Sequence, residues 1–530
     1  MLFRSANPYK VTRIATICSI SFMICWGLIL VLAQIKPFWV DEWRIIYNLK
    51  FKTPAAIWGP LDFMQQFPRA YLLIIKLFSS FFDYSYFTLR FPSFVVGTLT
   101  ILLAYHLMNK IYTQKQFSRF LFVLIIVSSH TFTEYFIQVK QYTMDIFLSL
   151  VVVWQLLQII KLINGHPIKH RRYILLTISF LVAPFFSYTY PIVVAPVFFI
   201  AFIQSIKLLG APPLGRHKTT MLLKAWLPLV ACALGIIAFY IADVARLMKD
   251  NDMQRYWNYL MMQSGFDITL FFKSFYYMLA HVGAGVLFEI VFGVIGILAF
   301  IHAAIKCAGT MNKSKWDTSI YLTWYSVLLL VIVIALFIAG KLPIAEARLT
   351  SFAVPAIAIL IISFIDHLYQ VRFHTKFVTY LSALIFIGAI GHIFTSSAQQ
   401  LLGARHNKTL DIYVNTENAI ILAQQRKIPI YITSEIAYPY QKTITFPATN
   451  ITATALCFPA GYNNAGCATL TDNMPGDWVL KTFPAYKVHD NTPVYALNNL
   501  TELAYCMQQL PGSITSVLVG DGRSFHIISR

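Results

Sequence analysis

Acidic side chains are scarce: 22 Asp and Glu stand against 42 Lys and Arg in 530 residues, and charged residues of either sign make up only 12% of the chain. A soluble protein of this length would need far more charge to solvate its surface. The formal net charge of +20 raises nucleic acid as a partner. Most of the cations, however, lie in short segments between long apolar runs, where they act as topology signals and contacts for anionic headgroups. No nucleic-acid partner is expected. Several sequence patterns are also missing. There is no G-x-x-x-x-G-K-[ST] loop, no H-E-x-x-H and no G-x-S-x-G. Those absences argue against a P-loop motor, a zinc protease of that type and a nucleophile-elbow hydrolase. The D-x-D pattern Asp250-Asn251-Asp252 has the chemistry to hold a divalent metal against a diphosphate. It falls on a predicted outer loop, where nucleotide sugars are not expected, and reads as solvated loop charge. The sequence requires no cofactor or metal, and leaves a divalent metal open.

What the chain has instead is apolar length. Hydrophobic residues make up 58% and aromatic residues 15%. Crossing a bilayer takes about 20 apolar residues. Apolar runs at 14–35, 91–108, 119–134, 143–161, 173–188, 190–206, 225–243, 278–303, 320–340, 350–365 and 377–394 predict about eleven spans. The fold class expected is a polytopic α-helical membrane protein. Arg4, Lys10 and Arg13 precede the first run, which is too long for a cleaved signal and reads as a retained anchor with a cytoplasmic N-terminus. The implied inner segments carry Lys110, Lys115 and Arg119, then Lys161, Lys169, Arg171 and Arg172, then Lys207, Arg216, Lys218 and Lys224, then Lys306, Lys313 and Lys315. Short outer segments such as 134–142 are poorer in cations, and an odd span count exports residues 395–530.

Two outer segments, 36–90 and 244–277, are longer than connectors need to be, and long structured loops usually carry function. Within the first, RAYLLIIKLFSSFF at 69–82 has the pattern of an amphipathic interfacial helix. Residues 395–530 alternate strand-like pieces (PIYITSEI, TPVYALNN, SITSVLVG, FHIISR) with helix-like ones, which predicts a small extracytoplasmic α/β domain after a membrane domain over 1–394. Of the seven cysteines, Cys18, Cys25, Cys232 and Cys307 fall in or beside spans. Cys457, Cys467 and Cys506 lie in the tail, where export would favour one disulfide, with Cys457–Cys467 the first choice.

The candidate chemistry begins at FWVDEW. Asp41 and Glu42 follow the first span directly, so carboxylates stand at the outer membrane face beneath a long amphipathic loop. The plainer alternative is a pair of solvated charges ending a helix.

Further along, QFPRAYLLIIKLFSSFFDYSYFTLRFPSFVVGTLTILLAYHLMNKIY resembles the first-loop-to-second-span region of GT-C glycosyltransferases. It is similar to the branch containing protein O-mannosyltransferases and lipid A aminoarabinose transferases. Gln66, Phe67 and Pro68 stand where that branch has His-Pro-Pro, and Arg90, Phe91, Pro92 and Ser93 where it has Arg-Leu-Pro-Ser. The outer turn YFIQVKQY is similar to a family turn at Tyr135, Lys140 (for Arg) and Tyr142, and AEARLTSFAVPAI resembles the Arg-containing entry to a late span. The departures at Gln66, Lys140 and Gln141 bear on substrate rather than fold, and Trp-Trp-Asp, the mark of whole-glycan transfer to asparagine, is absent.

The resemblance implies a GT-C-like enzyme that moves one sugar from a polyprenyl-phosphate-linked donor to an extracytoplasmic lipid, glycan or protein acceptor, with inversion, at a bilayer expected to be a bacterial inner membrane. A leaving phosphate needs cations, and Lys140, Arg348 and Arg90 lie at predicted outer span ends, with Lys341 in reserve. An acceptor hydroxyl needs a base, for which Asp41 is placed best, with Glu42 beside it. Gln66, Tyr142 and Glu346 are candidate substrate contacts, and Glu134 and Asp145 further acids near the same face. For Lys140 and Arg348 the alternative is snorkelling to headgroups. Two rival functions are a transporter or flippase for a lipid-linked glycan and a surface-polysaccharide polymerase or ligase. Paired inverted repeats and broken helices would favour the transporter, and neither is evident.

The topology is directly testable. Reporter fusions at Gln399 and Lys313 are expected to report opposite sides of the membrane. Finding both on one side would sink this topology.

Overall fold

The computed structural model is built almost wholly of helices. It describes residues 8–32, 40–61, 65–82, 84–111, 116–210, 216–245, 260–262, 266–283, 286–311, 316–371 and 375–406, together with four strands between 430 and 529. Against the expected eleven spans, seven described helices are long and apolar enough to cross a membrane: Phe87–Ile111, Tyr142–Ile163, Tyr190–Leu209, Thr219–Val244, Phe288–Thr310, Thr318–Ile338 and Ser351–Gln370. Ile17–Leu32, Ile268–Ala280 and Ala383–Ala398 are shorter apolar helices. The chain is an integral membrane protein of helical spans.

Three expected spans take other forms. The run 119–134 divides into Gln116–Ser128 and His130–Tyr135, where Ser129 caps the second piece by accepting from Phe132 N at 3.3 Å. Thirteen residues rise only about 20 Å, short of a hydrocarbon core of about 30 Å. Every residue from Phe120 to Val127 is at most 5% exposed. A helix apolar on all sides and covered on all sides is bundle core, not lipid-facing wall. The run 173–188 ends as helix at Val182 and closes in a 3-10 turn, Ala183–Phe186, with Pro184 in its first positions. Pro191 likewise opens the helix Tyr190–Leu209, where its missing N–H costs nothing. Residues 278–280 finish the helix Ile268–Ala280, and the next helix starts at Val286, because the glycine-rich HVGAG between them breaks the run.

Contacts sort many helix ends into two groups. Lys207 Nζ donates to Met311 O at 2.7 Å, Trp226 Nε1 to Ser205 Oγ at 3.0 Å and Tyr173 OH to Lys224 O at 3.1 Å. These bring cation-bearing connectors together at one end of the bundle. The other end gathers the residues of the candidate site. In the tail, the strands Ile430–Ile432, Val479–Lys481, Ser516–Gly520 and Phe525–Ser529 form one mixed sheet. The first pairs parallel with the third, and the fourth lies antiparallel between the third and second. The piece TPVYALNN and the cysteines Cys457, Cys467 and Cys506 lie outside the described residues, as does Asp250-Asn251-Asp252.

One packing feature sets the height of the turn between Tyr135 and Tyr142. A Cβ added at Gly27 would sit 2.2 Å from one edge of the Phe136 ring, and one added at Gly97 would sit 2.2 Å from the opposite edge. The ring is therefore held between two helix backbones, and only glycine admits it, as at other close helix approaches in membranes. Phe132 and Phe94 add ring contacts at centroid separations of 5.1 and 5.8 Å. Gly97→Ala should cost about 1–3 kcal/mol by overpacking, read as a lower unfolding temperature in detergent, and Phe136→Leu in the same chain should restore part of it. An unchanged melting temperature for Gly97→Ala would show that the ring has room to retreat.

Candidate active site

The site is assembled from helix ends that the hydrocarbon could not tolerate uncompensated. The helix Tyr86–Ile111 begins with Ser85, whose Oγ accepts from Thr88 N, and contains Pro92 one turn later. Proline has no N–H, so the Thr88 carbonyl four residues earlier loses its helical donor. Ser79 Oγ supplies one instead, at 3.1 Å. Ser93 Oγ meets Tyr71 OH at 3.1 Å, and Lys76 Nζ donates to Leu49 O at 2.6 Å and to Tyr84 OH at 3.0 Å. The helix Arg69–Ser80, which occupies most of the stretch read as amphipathic, is thus docked by polar bonds on one face. On the other, Ile74 and Leu77 are exposed, as are Phe81 and Phe82 just past its end.

Above this dock lies a buried ion pair. Glu42 and Arg90, both fully buried, meet at 3.1 Å, and the second Glu42 oxygen accepts from Val139 N at 2.8 Å. Each oxygen of Glu42 is therefore engaged, one by a guanidinium and one by the backbone next to Lys140. Asp41 precedes Glu42 within the helix Val40–Phe51, and its side chain lies outside the described residues. Lys140, 5% exposed, donates to Gln65 Oε1 at 3.0 Å; Gln66, next in sequence, is half-buried. Tyr142 is buried and packs edge-on against Tyr135 at 4.7 Å. Glu134 accepts from Gln138 Nε2 at 3.1 Å.

A second cation–carboxylate pair stands on the turn before Ser351. Arg348 Nε lies 2.9 Å from Glu346 Oε1, with 12% and 29% of their side chains exposed. That turn is pinned by His281 Nε2, which donates to Ala345 O at 3.0 Å, and by Thr131 Oγ1 on Ala347 O at 3.5 Å. Burial holds the His281 imidazole below its ordinary value, and nearby His130 pushes the same way, so a neutral ring donates this bond.

The structure thus joins Glu42 with Arg90, Glu346 with Arg348, and Lys140 with Gln65, the neighbour of Gln66 in sequence. Four polar residues at this end were not singled out from the sequence: Arg69, Asp243, Tyr188 and Ser187. Arg69 Nε is 3.5 Å from Asp243 Oδ1, and Arg69 Nη1 donates to Phe67 O at 3.0 Å. Tyr188 OH lies 3.0 Å from both Phe67 O and Asp243 Oδ2. Burial raises the Tyr188 phenol well above its usual range, so it keeps its single proton and shares it between these acceptors. Ser187 Oγ donates to Asp145 Oδ1, and Thr189 joins through its own hydroxyl 2.9 Å from Ser187 Oγ. Asp145 is buried in the first turn of the helix Tyr142–Ile163, where an unpartnered carboxylate would be costly, and Ser187 supplies it with a donor.

No protein-family model and no curated protein sequence matches the chain. Among solved structures, it is similar to the archaeal oligosaccharyltransferase AglB from Archaeoglobus fulgidus, in complex with an inhibitory peptide and a dolichol-phosphate. The identity is 12% and the TM-score 0.44, with 95% of this chain and 69% of that chain covered. The chemistry of the site rests on its own residues.

Removing one partner of a fully buried pair leaves the other charge without compensation, at about 3–5 kcal/mol. Glu42→Gln and Arg90→Met should each lower stability strongly, while the double variant loses much less than the sum. Strict additivity in that thermodynamic cycle would dismiss the pair as an organising element.

Proposed function

We propose that this chain is a GT-C-like glycosyltransferase that moves one sugar from a polyprenyl-phosphate donor to an acceptor on the outer side of the membrane. The observation that carries the reading is the bond from Val139 N to Glu42 Oε1, at 2.8 Å. It ties the residue after Asp41 to the residue before Lys140, across 97 positions of sequence. An acid that could serve as base and a cation that could serve a phosphate thus belong to helix and turn segments joined by a single buried hydrogen bond.

In this reading Asp41 takes the proton of the acceptor hydroxyl as the new glycosidic bond forms at the anomeric carbon. The bond to the donor phosphate breaks from the opposite face, inverting that centre. The departing phosphate keeps the electron pair and is stabilised by Lys140 and Arg348, with Arg90 behind them. Such attraction strengthens as water is excluded, and the low exposure of Lys140 and Arg90 supports that role. Glu42 acts on this scheme through position, since both its oxygens are committed to Arg90 and Val139. Gln66, Tyr142 and Glu346 are the substrate contacts of this reading. The N-terminus is cytoplasmic and the α/β tail over 395–530 outside, where it would cap the site or help bind the acceptor.

Asp41→Asn keeps size and polarity while removing the base, so a folded protein should lose about 10²-fold or more in turnover. Lys140→Gln and Arg348→Gln should each weaken donor binding with acceptor binding little changed. Near-normal transfer by purified Asp41→Asn protein would reject the base, and unchanged donor affinity in both cation variants would reject the phosphate site.

A further inference from the structure

The ring formed by Phe67, Arg69, Asp243 and Tyr188 does more than join two outer segments. We infer that Tyr188 and Asp243 are positioning residues for Lys140, acting through the segment Gln65–Arg69; the inference rests on the proposed role of Lys140 at the donor phosphate. The chain of contacts is continuous. Phe67 O receives Arg69 Nη1–H and Tyr188 O–H, each at 3.0 Å, and the Asp243 carboxylate meets the same two side chains at 3.5 and 3.0 Å. With that carbonyl held twice and φ of Pro68 restricted to −57°, the backbone from Phe67 into the helix at Arg69 has little freedom. Gln65, two residues earlier, presents Oε1 to Lys140 Nζ at 3.0 Å.

The circuit also closes on its other side. Tyr188 lies between Ser187 and Thr189, whose hydroxyls are joined at 2.9 Å, and Ser187 donates to Asp145. Asp145 stands in the first turn of the helix Tyr142–Ile163, directly after the turn that carries Lys140. Lys140 is therefore steadied from both directions, by the helix that follows its turn through Asp145 and Ser187, and by its acceptor through Gln65 and Phe67. A lysine has four side-chain torsions and, in bulk water, no preferred direction; held this way, its ammonium faces one point. Mere docking of the helix Arg69–Ser80 would not require such a circuit, because Ser79, Tyr71 and Lys76 already anchor it.

The test separates position from phosphate chemistry. In full-length protein without donor, the rate at which an amine-reactive acetylating reagent modifies Lys140 is measured by mass spectrometry, with exposed Lys161 as internal standard. Binding of undecaprenyl monophosphate is measured in parallel. Tyr188→Phe should raise Lys140 modification and weaken phosphate binding by about 3- to 10-fold, the loss of one shared buried hydrogen bond, with Lys161 unchanged. In a Gln65→Leu background Tyr188→Phe should add nothing to either readout. Gln65→Leu, at a half-buried position, provides the same readouts should the tyrosine variant fold poorly. Unchanged Lys140 modification in both variants, or equal effects of Tyr188→Phe with and without Gln65, would overturn the positioning role. If modification rises while neither Tyr188→Phe nor Lys140→Gln alters phosphate binding, the positioning stands and the donor-phosphate reading falls.

Discussion

Burying charge is expensive, and this molecule buries a good deal of it at one end. Everything recognisable as a site depends on how that cost is met. Glu42 and Arg90 have no exposed side-chain surface, and a single unpaired charge in such a place is not sustainable. Their pairing fixes the helix Val40–Phe51 against the helix Tyr86–Ile111, and the second Glu42 oxygen captures the backbone of the turn leading to Lys140. The Phe136 ring, held between Gly27 and Gly97, sets that turn at the height where Val139 can reach the carboxylate. Electrostatics chooses the partner, and packing between two glycines supplies the register.

A similar economy governs the helix Arg69–Ser80. Pro92 removes a hydrogen bond inside a membrane-crossing helix, and the loss would be costly in hydrocarbon. The freed Thr88 carbonyl becomes the anchor for Ser79 of the neighbouring helix. A local defect in one helix thus acts as the dock for another, and Ser93, directly after the proline, adds the bond to Tyr71. The exposed face left on that helix, with Ile74 and Leu77, and the exposed Phe81 and Phe82 just past its end suit a lipid neighbour better than water.

Much of this was legible in the sequence, and the parts that were not share a cause. Long apolar runs marked the spans well wherever much of the helix is left for lipid, as at Tyr190–Leu209 or Thr219–Val244. Hydropathy cannot distinguish lipid from protein as the apolar surroundings, so the core helix Gln116–Ser128 reads like a span. Arg90, Pro92, Lys140 and Tyr142 stood out because a resemblance ordered them, and Asp41 and Glu42 because charge directly after a span is conspicuous. Arg69, Tyr188 and Asp243 carried no such mark. Arg69 looks like the polar edge of an amphipathic helix, Tyr188 like one aromatic among 29 tyrosines, and Asp243 like the solvated end of a span. Their meaning lies in a contact across 174 positions (243 less 69), which no local pattern encodes.

Two constellations then converge on adjacent residues. The pair Glu42–Arg90 acts on Val139 through the backbone, and the ring around Asp243 acts on Lys140 through Gln65. Both draw on the segment after the first apolar helix, and the second adds Tyr188 and Asp243 from the ends of later helices, so the turn 136–141 is where the early and middle parts of the chain meet. A turn held from two sides can present one ammonium group without a helix of its own around it. That is a demanding arrangement to keep for stability alone, because apolar packing would hold the same helices together at lower desolvation cost. The polar bonds specify direction, which apolar packing does poorly, and direction is what the role proposed for Lys140 at a leaving phosphate requires.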